Sequence, residues 1–412
     1  MGGGATLAPV SSAPTPRAPT SNDLQPEDID AVFREFLGRP ASPGDVATWM
    51  QVGSVRTFLD GVLASEEYAR RLATRAAGAE ARARGHFLNC SIPGWEGFAR
   101  PAGELSPDGV VVVGQQGQLF IYGGSNHNLA AQRGEVAMAP SWLVDWRDLV
   151  TGRAEEARGM GRQLAFVVVP EKLAVYADRF PETLTPTRAR PALRLTEEAR
   201  LPLVYPLDLL REARCEGETY LRTDSHLTPR GNLLLAQAVL AALKVPATLL
   251  PEVTDSPGTH LASGDLGSHF DPPELELMVP MAGASRARLV SDNWSQVASA
   301  GGHIGTTRIF RQDDPPDRRA LVIFGDSYGF GDEAYRGLSW FLAQVFREVH
   351  FVWAPFGWDP GYIDSVGAEL AICQTAERFV ARVPLHRVDV RSLAEETVAR
   401  QTALTDERLF AS

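Results

Sequence analysis

The chain has few cysteines for its length. Only three, Cys90, Cys215 and Cys373, occur among 412 residues, and they lie far apart. No Cys-x-x-Cys pair and no Cys/His cluster suggests a metal, and the odd count argues against a full disulfide framework. We therefore expect buried apolar thiols, and we predict neither a metal nor an organic cofactor.

The sequence also lacks a long apolar run and an export signal. No stretch approaches the roughly 20 apolar residues that span a bilayer, so we predict no transmembrane segment. Residues 1–24 are rich in Gly, Ala, Ser, Thr and Pro and contain neither an early basic cluster nor an apolar core. Their composition predicts a disordered tail. Without a signal peptide the sequence predicts a cytoplasmic protein. Export by another route and a leader missing from this chain stay open as alternatives.

Basic residues are outnumbered by acidic ones. The formal net charge is -11, from 40 Lys and Arg against 51 Asp and Glu. The electrostatic field of a negatively charged protein repels the phosphate backbone of a nucleic acid. We therefore exclude a nucleic-acid partner, and an anionic glycan would need a local basic patch. Apolar residues make up 44% of the chain, which is typical of a soluble globular protein with one large domain or two smaller ones.

Residues 25–75 predict a small helical module. Apolar residues recur there at helical spacing, at Ile29, Val32, Phe33, Phe36 and Leu37. Three more helices are expected before residue 75, and a linker over 76–107 follows. The segment FREFLGRPASPGDVATWM resembles a helical module of unknown function that is attached to bacterial glycan and surface enzymes. Two roles stay open for it: docking of a protein partner, and a structural cap on the larger domain.

From residue 108 to residue 390, strand-like runs alternate with helical patterns. Apolar runs lie at 110–113, 119–122, 164–169, 203–205, 321–324 and 349–353, and helical spacing covers 141–160, 229–243 and a segment ending near 345. Runs that are apolar on both faces, separated by helices, predict an α/β domain built on a mostly parallel sheet with helices on both faces. A C-terminal helix or tail is expected over 391–412.

Residues 244–317 interrupt this alternation. They are rich in Pro, Gly, Ser and Asp, with short strand-like runs at 274–278 and 287–289. We interpret them as an irregular, β-containing insertion near the site, because long loops in compact domains are often functional.

Two short polar motifs each follow an apolar run. The first, Thr-Asp-Ser-His-Leu-Thr-Pro, covers 223–229, and the second, Phe-Gly-Asp-Ser-Tyr, covers 324–328. Ser327 falls at the carboxyl end of a predicted strand, where ligands bind in open parallel sheets. Gly325 permits a tight turn, and a helix after Ser327 would direct free N–H groups at the oxyanion of an attacked ester.

The first motif supplies a base for that serine. His226 can take the proton of Ser327, and Asp224, two residues away, can orient the imidazole. Thr228 as N-cap and Pro229 in the first turn would start a helix that holds the loop. Each motif alone has a simpler explanation as a turn or a cap, but together in one α/β domain they favour a Ser-His-Asp triad.

The order of the two motifs carries a family resemblance. In ordinary SGNH esterases Gly-Asp-Ser comes first and Asp-His comes near the end, whereas here His226 precedes Ser327 by 101 residues. This reversed order resembles the alginate O-acetyltransferase family, which is AlgX/AlgJ-like and SGNH-hydrolase-like. The resemblance covers residues 108–382 and includes the segments VVVGQQGQLFIYGG, LAFVVVPEKLAVYADRFP, SGDLGSHF and LAICQTAERFV.

The resemblance implies a fold, an activity and three residue roles. It implies an SGNH-hydrolase-like (flavodoxin-like) sheet, O-acetyl transfer to a carbohydrate, and Ser327, His226 and Asp224 as nucleophile, base and orienting carboxylate. Two departures matter. The family often has Trp after the histidine, where this chain has Leu227. Relatives also act on exported polysaccharide in the periplasm, whereas this chain shows no export signal.

Further residues are candidates for substrate contact. Arg222 and Arg230 flank the Asp-His pair and would hold an anionic group, with surface salt bridges as the alternative. Tyr328 follows the predicted nucleophile. Trp353 and Trp358 would stack on sugar rings, unless they belong to the core.

Further expectations concern one tryptophan, one aspartate and three histidines. Trp294 is a third candidate for stacking on a sugar. We expect Asp326 to stabilise its turn rather than to orient a base. His127, His269 and His303 lie in Gly/Ser/Asn-rich loops, and no pair among them has metal-ligand spacing.

The sequence thus predicts transfer of an O-acyl group, with acetyl as the expected case, from an acyl donor to a carbohydrate acceptor through a Ser327 acyl-enzyme. Two alternatives stay open. In a carbohydrate O-acetyl esterase, water instead of a sugar hydroxyl resolves the acyl-enzyme. A non-catalytic glycan-binding or scaffold protein would retain the fold, and docking through the N-terminal module favours that hypothesis.

Overall fold

The fold is known from a computed structural model, which describes residues 26–33, 37, 40–52, 58, 61–62, 65, 67, 100–185, 187–252, 254–255, 260–271, 273–278, 281–282, 285–300, 302–331, 336–384 and 387–410. The strands, in chain order, are β1 Val111–Val113, β2 Leu119–Ile121, β3 Gln163–Val169, β4 Leu203–Val204, β5 Thr254–Asp255, β6 His260–Ala262, β7 Glu276–Met278, β8 Met281–Ala282, β9 Arg288–Asp292, β10 Thr307–Arg311, β11 Asp317–Gly325, β12 Phe346–Trp353 and β13 Leu370–Ala376.

The α-helices alternate with these strands along most of the chain. In chain order they are α1 Pro26–Val32, α2 Pro43–Trp49, α3 Asn128–Arg133, α4 Trp142–Gly159, α5 Lys172–Val175, α6 Pro191–Leu193, α7 Leu207–Ala213, α8 Pro229–Ala242, α9 Trp294–Ser299, α10 Leu338–Ala343, α11 Pro360–Ser365 and α12 Val390–Phe410. Short 3-10 turns cover Met50–Val52, Gln115–Gly117, Ala177–Arg179, Ala247–Leu249, Gly267–His269 and Glu377–Phe379, and a π-helical turn covers Arg194–Glu198.

The centre of the fold is a seven-stranded sheet. Its strand order is β4-β3-β13-β11-β12-β10-β9. The first five strands in this order run parallel to their neighbours, and β10 and β9 add an antiparallel edge beside β12. The small pairs β1-β2, β5-β8 and β6-β7 are antiparallel hairpin-like additions. The predicted α/β fold with a mostly parallel sheet is therefore confirmed.

Side chains of the central strands point alternately into two apolar cores. On one face Val167, Ile323 and Phe351 pack with residues of α8 and α10. On the other face Phe166 and Val322 pack with residues of α4. Because both faces are covered, these strands appear in the sequence as continuous apolar runs. Full burial of one such side chain contributes about 1.5–3 kcal/mol to stability.

Part of the predicted irregular insertion is regular sheet. Strands β9 and β10 lie within 244–317 and pair with each other, and Phe310 of β10 is opposite Val349 of β12. The strand-like run predicted at 287–289 lies at the start of β9, although every residue of β9 is exposed. The last part of this segment is therefore an edge of the central sheet.

The chain turns directly after Ser327 instead of starting a helix. The N–H groups of Gly329 and Phe330 donate to the carbonyl of Asp326 at 2.9 and 3.1 Å, and the next described helix, α10, begins at Leu338. The prediction of a helix N-terminus at this serine is therefore wrong. The glycines of this segment favour a turn, because glycine is a poor helix former.

The N-terminal residues form helices around aromatic side chains. Ser42 caps α2: its hydroxyl accepts from the N–H of Asp45 at 3.2 Å, and its own N–H donates to the Asp45 carboxylate at 2.8 Å. Phe58 stacks on Phe33, with 6.4 Å between ring centroids, and meets the edge of Trp49 at 5.2 Å. Phe36, the predicted tail 1–24 and most of the predicted linker lie outside the described residues.

The two described cysteines differ in exposure. Both are free thiols, Cys373 buried as expected and Cys215 exposed, which corrects the expectation of buried thiols. Cys90 lies outside the described residues. Among the helices described, none combines the length and the apolar character that crossing a bilayer requires.

Candidate active site

The candidate site lies at the carboxyl edge of the parallel strands. Ser327 follows β11, Lys172 follows β3 and Glu377 follows β13, so side chains from three neighbouring strands share this edge. Asp224 and His226 reach the same edge from the loop between α7 and α8. The two sequence motifs therefore meet in space, although 101 residues separate His226 from Ser327.

The loop that carries the base is closed where it enters α8. The N–H of Thr228 donates to the carbonyl of Thr219 at 3.0 Å. Thr228 also caps the helix, since its hydroxyl accepts from the N–H of Gly231 at 3.1 Å and Pro229 occupies the first turn. The predicted helix start is confirmed, and it fixes the end of the loop.

A serine, a histidine and an aspartate form one hydrogen-bonded line. His226 Nε2 lies 2.7 Å from Ser327 Oγ, and His226 Nδ1 lies 2.6 Å from Asp224 Oδ1. A carboxylate accepts but does not donate, so Nδ1–H donates to Asp224 and Nε2 is left to accept the serine proton. The His226 side chain is 31% exposed and that of Asp224 is 8% exposed. The carboxylate is therefore buried, and the imidazole is accessible to solvent.

Burial and hydrogen bonding shift the pKa values of Asp224 and His226 in opposite directions. Burial alone would raise the pKa of Asp224, but hydrogen bonds from His226 and from the N–H of Asp265 hold that pKa well below its usual range. Burial likewise would lower the pKa of His226, but the Asp224 carboxylate raises it above the ordinary 6.5. Asp224 is therefore ionised at neutral pH, and His226 is a stronger base than a free imidazole.

A second carboxylate, Asp265, lies beside this pair. It accepts from the N–H and the hydroxyl of Ser225 at 2.6 and 2.5 Å, and its Oδ2 is 3.9 Å from His226 Nδ1. The Asp265 side chain keeps 45% of its surface exposed, and partial desolvation together with the nearby charge of Asp224 raises its pKa. Sequence reasoning missed this residue. It belongs to the segment SGDLGSHF, which resembles the family, but nothing in its spacing assigns it a role.

A buried lysine supports the same loop from the end of β3. Lys172 Nζ donates to the carbonyls of Arg222 and Asp224 at 2.7 and 3.0 Å, which ties down the chain on both sides of Thr223. Burial lowers the pKa of Lys172 to about 7. Sequence reasoning missed this contact as well, because a lysine after a strand is usually a solvated surface charge.

Asp326, the neighbour of the serine, joins two strands. Its carboxylate accepts from the side chain of Gln374 at 2.7 Å and from the N–H groups of Ala376 and Tyr328 at 2.6 and 3.1 Å. These donors bring β13 against the turn after β11. Asp326 therefore stabilises the turn, as expected, and burial raises its pKa.

Tyr328 supports the base loop. Its side chain is 2% exposed, its hydroxyl donates to the carbonyl of Ser225 at 2.7 Å, and its ring lies 5.1 Å from that of His226. Arg378 donates to the same hydroxyl at 3.2 Å. The prediction that Tyr328 contacts substrate is wrong in this structure, because its ring and its hydroxyl are both used inside the protein.

The two predicted arginines are also internal. Arg222 is 7% exposed and donates to the carbonyls of Gly117, at 3.1 Å, and of Leu275. Arg230 is 5% exposed and donates to the carbonyl of Ala213 at 2.7 Å, with further bonds to Gly217 and Glu216. Their expected role in holding an anionic substrate group is therefore wrong, because main-chain carbonyls occupy the guanidinium groups.

The two predicted stacking tryptophans have different surroundings. Trp358 is wholly buried, and its indole N–H donates to Glu156 at 2.6 Å, so the prediction that it stacks on a sugar is wrong. Trp353 ends β12 and is half-buried. Its ring lies beside those of Trp294 and His303, and contact between Trp353 and substrate stays a prediction.

Comparison with known proteins gives a family match and partial relatives. The family model for the SGNH hydrolase-like domain of acetyltransferase AlgX matches residues 111–360. A probable alginate O-acetylase AlgJ from Azotobacter vinelandii is 28% identical over 155 residues, which cover 35% of this chain and 40% of the relative. One from Pseudomonas putida is 29% identical over 132 residues, covering 29% and 33%. The chain thus spans less than half the length of these curated relatives.

The chain is also similar to a solved structure. The O-acetyltransferase domain of Pseudomonas putida AlgJ is 17% identical in sequence and superposes with a TM-score of 0.44. The superposition covers 71% of this chain and 98% of that domain.

Proposed function

Because this chain belongs to the family of SGNH hydrolase-like domains of the acetyltransferase AlgX, we propose that it transfers an acetyl group to a carbohydrate hydroxyl through Ser327. The observation that carries the proposal is the line of Asp224, His226 and Ser327, with separations of 2.6 and 2.7 Å. The probable alginate O-acetylases among its relatives support the acetyl and carbohydrate parts of the proposal.

The first half-reaction loads the serine. Ser327 Oγ attacks the carbonyl carbon of an acetyl ester while His226 Nε2 takes the hydroxyl proton. The bond to the donor oxygen then breaks, and the proton passes from His226 to that oxygen, so the donor leaves as a neutral alcohol. Asp224 keeps Nδ1 protonated throughout and stabilises the imidazolium that forms.

The second half-reaction reverses these roles with a different alcohol. His226, neutral again, takes the proton of a sugar hydroxyl, and the sugar oxygen bonds to the acetyl carbon. The bond between that carbon and Ser327 Oγ breaks, and His226 returns its proton to the serine. The acetylated sugar leaves, and the site is restored.

The turn after β11 offers a donor for the oxyanion. The N–H groups of Tyr328, Gly329 and Phe330 donate to Asp326, whereas that of Ser327 has no acceptor among the residues described. In this proposal the Ser327 N–H stabilises the charge that develops on the carbonyl oxygen, and loss of one such donor typically costs about 100- to 1000-fold in rate.

Hydrolysis is the second candidate function. The observation that favours it is the 31% exposure of the His226 side chain, which leaves water access to the base. A transferase must let the sugar hydroxyl compete with that water, and it achieves this by binding the acceptor next to the acyl-enzyme.

Product analysis separates transfer, hydrolysis and a non-catalytic role. The protein is incubated with an activated acetyl ester, with and without an alginate oligosaccharide, and the products are separated by chromatography and mass spectrometry. We expect acetylated oligosaccharide, with less free acetate when the acceptor is present. Free acetate alone, in equal amounts with and without acceptor, would establish an esterase. The absence of both acetylated oligosaccharide and free acetate would support a non-catalytic glycan-binding or scaffold role.

Gly264 provides a structural test of the same site. A Cβ at this position would lie 2.4 Å from Asp224 Cβ and 2.5 Å from the carbonyl of Thr223. We expect Gly264→Ala to displace the carboxylate and to lower the rate of ester cleavage by about 10- to 100-fold, because small displacements of catalytic groups are costly. Gly152→Ala in α4, where the Cβ meets open space, is the matched control and should keep full activity. Full activity of Gly264→Ala would contradict a strict requirement for the position of Asp224.

A further inference from the structure

The hairpin β6-β7 holds the loop that carries the base. Its two strands pair antiparallel within the predicted insertion. Glu276 of β7 accepts from the N–H groups of Arg222 and Thr223 at 2.9 and 2.8 Å, and from the Thr223 hydroxyl at 2.7 Å. The N–H groups of Gly264 and Gly267 donate to the hydroxyl and the carbonyl of Thr223 at 3.1 and 2.8 Å. Every polar group of Thr223 therefore has a partner in this hairpin.

Asp265, between the two strands of the hairpin, closes a ring of hydrogen bonds with Asp224 and Ser225. Its N–H donates to Asp224 Oδ2 at 3.0 Å, and its carboxylate accepts from the N–H and the hydroxyl of Ser225 at 2.6 and 2.5 Å. The other oxygen, Asp224 Oδ1, accepts from the main-chain N–H of His226 at 2.8 Å and from its Nδ1 at 2.6 Å. Because both oxygens of Asp224 are held, its carboxylate is fixed against rotation.

Ser225 is fixed from two sides. Asp265 accepts from its N–H and its hydroxyl, and the hydroxyl of Tyr328 donates to its carbonyl at 2.7 Å. Ser225 is buried, and Tyr328 directly follows Ser327. The base loop is thus tied to the insertion on one side and to the turn of the proposed nucleophile on the other.

The Asp265 carboxylate is also a charge beside the base. Its Oδ2 lies 3.9 Å from His226 Nδ1. Burial and the guanidinium of Arg378 lower the pKa of His226, whereas the carboxylates of Asp224 and Asp265 raise it. Because Asp265 is more exposed than Asp224 and lies farther away, solvent screens its effect more strongly.

The groups around the imidazole come from several elements. The base loop, the insertion, the end of β13, the turn after β11 and α5 contribute, in this order, Asp224, Asp265, Arg378, Ser327 with Tyr328, and Lys172. Burial raises the pKa of Tyr328 well above 10, so its hydroxyl is neutral when the base works. Asp265 is therefore the second negative charge beside His226 among the residues described.

We propose that Asp265 is a positioning residue of the acetyl transfer, which holds the catalytic carboxylate and imidazole in line with Ser327 and places a second negative charge beside the imidazole. The inference rests on the proposed function, because it requires His226 to act as the base. When His226 takes the serine proton, both carboxylates stabilise the imidazolium, and the ring of hydrogen bonds keeps Nε2 directed at Ser327 Oγ. Asp265 thus acts through Asp224 and His226.

Two substitutions separate the hydrogen bonds of Asp265 from its charge. Asp265→Asn removes the charge and keeps an oxygen that can accept from Ser225, whereas Asp265→Ala removes both. We expect Asp265→Ala to lower kcat for cleavage of an activated acetyl ester by about 10- to 100-fold, because small displacements of catalytic groups are costly. Asp265→Asn should lower kcat less. Asp208→Asn, at a carboxylate of α7 that is 88% exposed, is the matched control and should keep the parent kcat.

The pKa of His226 gives a readout that a purely structural role would not move. It is measured by NMR of protein labelled with ¹⁵N-histidine, with His226→Gln to assign the signal, and by the pH dependence of kcat/KM. Because loss of a raising charge makes the imidazole a weaker base, we expect this pKa to fall in both Asp265→Asn and Asp265→Ala. It should stay unchanged in Asp208→Asn.

Two results would overturn the proposal. One is that Asp265→Ala keeps both the kcat and the His226 pKa of the parent. The other is that kcat falls while the pKa of His226 stays the same, which would make Asp265 a purely structural residue. Thermal unfolding shows whether the variants fold, and Asp265→Asn provides the test if Asp265→Ala does not.

Failure of the proposed function is distinguishable from failure of this inference. NMR reports the pKa of His226 without turnover, so a parent protein that cleaves no acetyl ester would contradict the proposed function alone. An active parent in which both Asp265 variants leave the pKa of His226 unchanged would contradict the role of Asp265 alone.

Discussion

Replacement of Ser327 by alanine should lower the rate of acetyl transfer by about 10⁴-fold or more, because it removes the only atom proposed to carry the acetyl group. His226 Nε2 loses its partner at 2.7 Å, and no acyl-enzyme can form. The rate is measured as release of the leaving group from an activated acetyl ester, and as acetylated oligosaccharide by mass spectrometry.

The fold of this variant should be intact. Ser327 is half-buried in a turn that the carboxylate of Asp326 stabilises, so the thermal unfolding midpoint should stay close to that of the parent protein. Ser365→Ala, at an exposed serine of α11, serves as the control and should be fully active. Retention of more than about a tenth of the parent activity in Ser327→Ala would exclude a serine nucleophile at this position.

Replacement of Asp224 by asparagine should be nearly as damaging, by about 10⁴-fold in kcat. An amide can donate to His226 Nδ1 and so favour the tautomer in which Nε2 carries the proton, which leaves no base facing Ser327. Asp364→Asn, at a carboxylate that is 74% exposed, is the control for the same chemical change elsewhere. The double variant Ser327→Ala/Asp224→Asn should be no slower than Ser327→Ala, since the two residues act as a unit.

The pH dependence gives the same variant a second readout. His226 must be neutral to accept a proton, and its pKa is raised above 6.5 by Asp224 despite burial. We therefore expect kcat/KM to rise with pH through a value above 6.5 and then to level off. In Asp224→Asn the larger of the two raising charges is gone, while burial and the weaker effect of Asp265 remain, so the inflection of the residual activity should move to lower pH. An unchanged inflection would show that another group controls the rate.

Much of the fold follows from local sequence patterns. Runs such as 164–169 and 321–324 are apolar without interruption because helices cover both faces of the sheet. The Thr228-Pro229 helix start depends on a cap within three residues and was correctly predicted. The proximity of His226 and Ser327 was expected because the two motifs together supply the residue types of a triad in one α/β domain, with Ser327 at the carboxyl end of a strand.

The residues that sequence reasoning missed act through tertiary contacts. Asp265 and Lys172 reach the Asp224 loop from segments about 40 and 50 residues away, and neither has a local pattern that marks it. Arg222 and Arg230 were predicted to hold an anionic substrate group because they flank the Asp-His pair. In the structure, main-chain carbonyls receive their hydrogen bonds. Whether a polar side chain faces the protein or the substrate depends on such partners, which the sequence does not display.

The most direct test of the account is to locate the acetyl group on the enzyme. The protein is mixed with an activated acetyl ester in the absence of acceptor, quenched in acid and digested, and the peptides are sequenced by mass spectrometry. We predict an acetyl ester on Ser327 that forms within one turnover, disappears when an acceptor oligosaccharide is added, and is absent from Ser327→Ala. Acetyl transfer that proceeds without any adduct on Ser327, or with an adduct on another side chain, would contradict it.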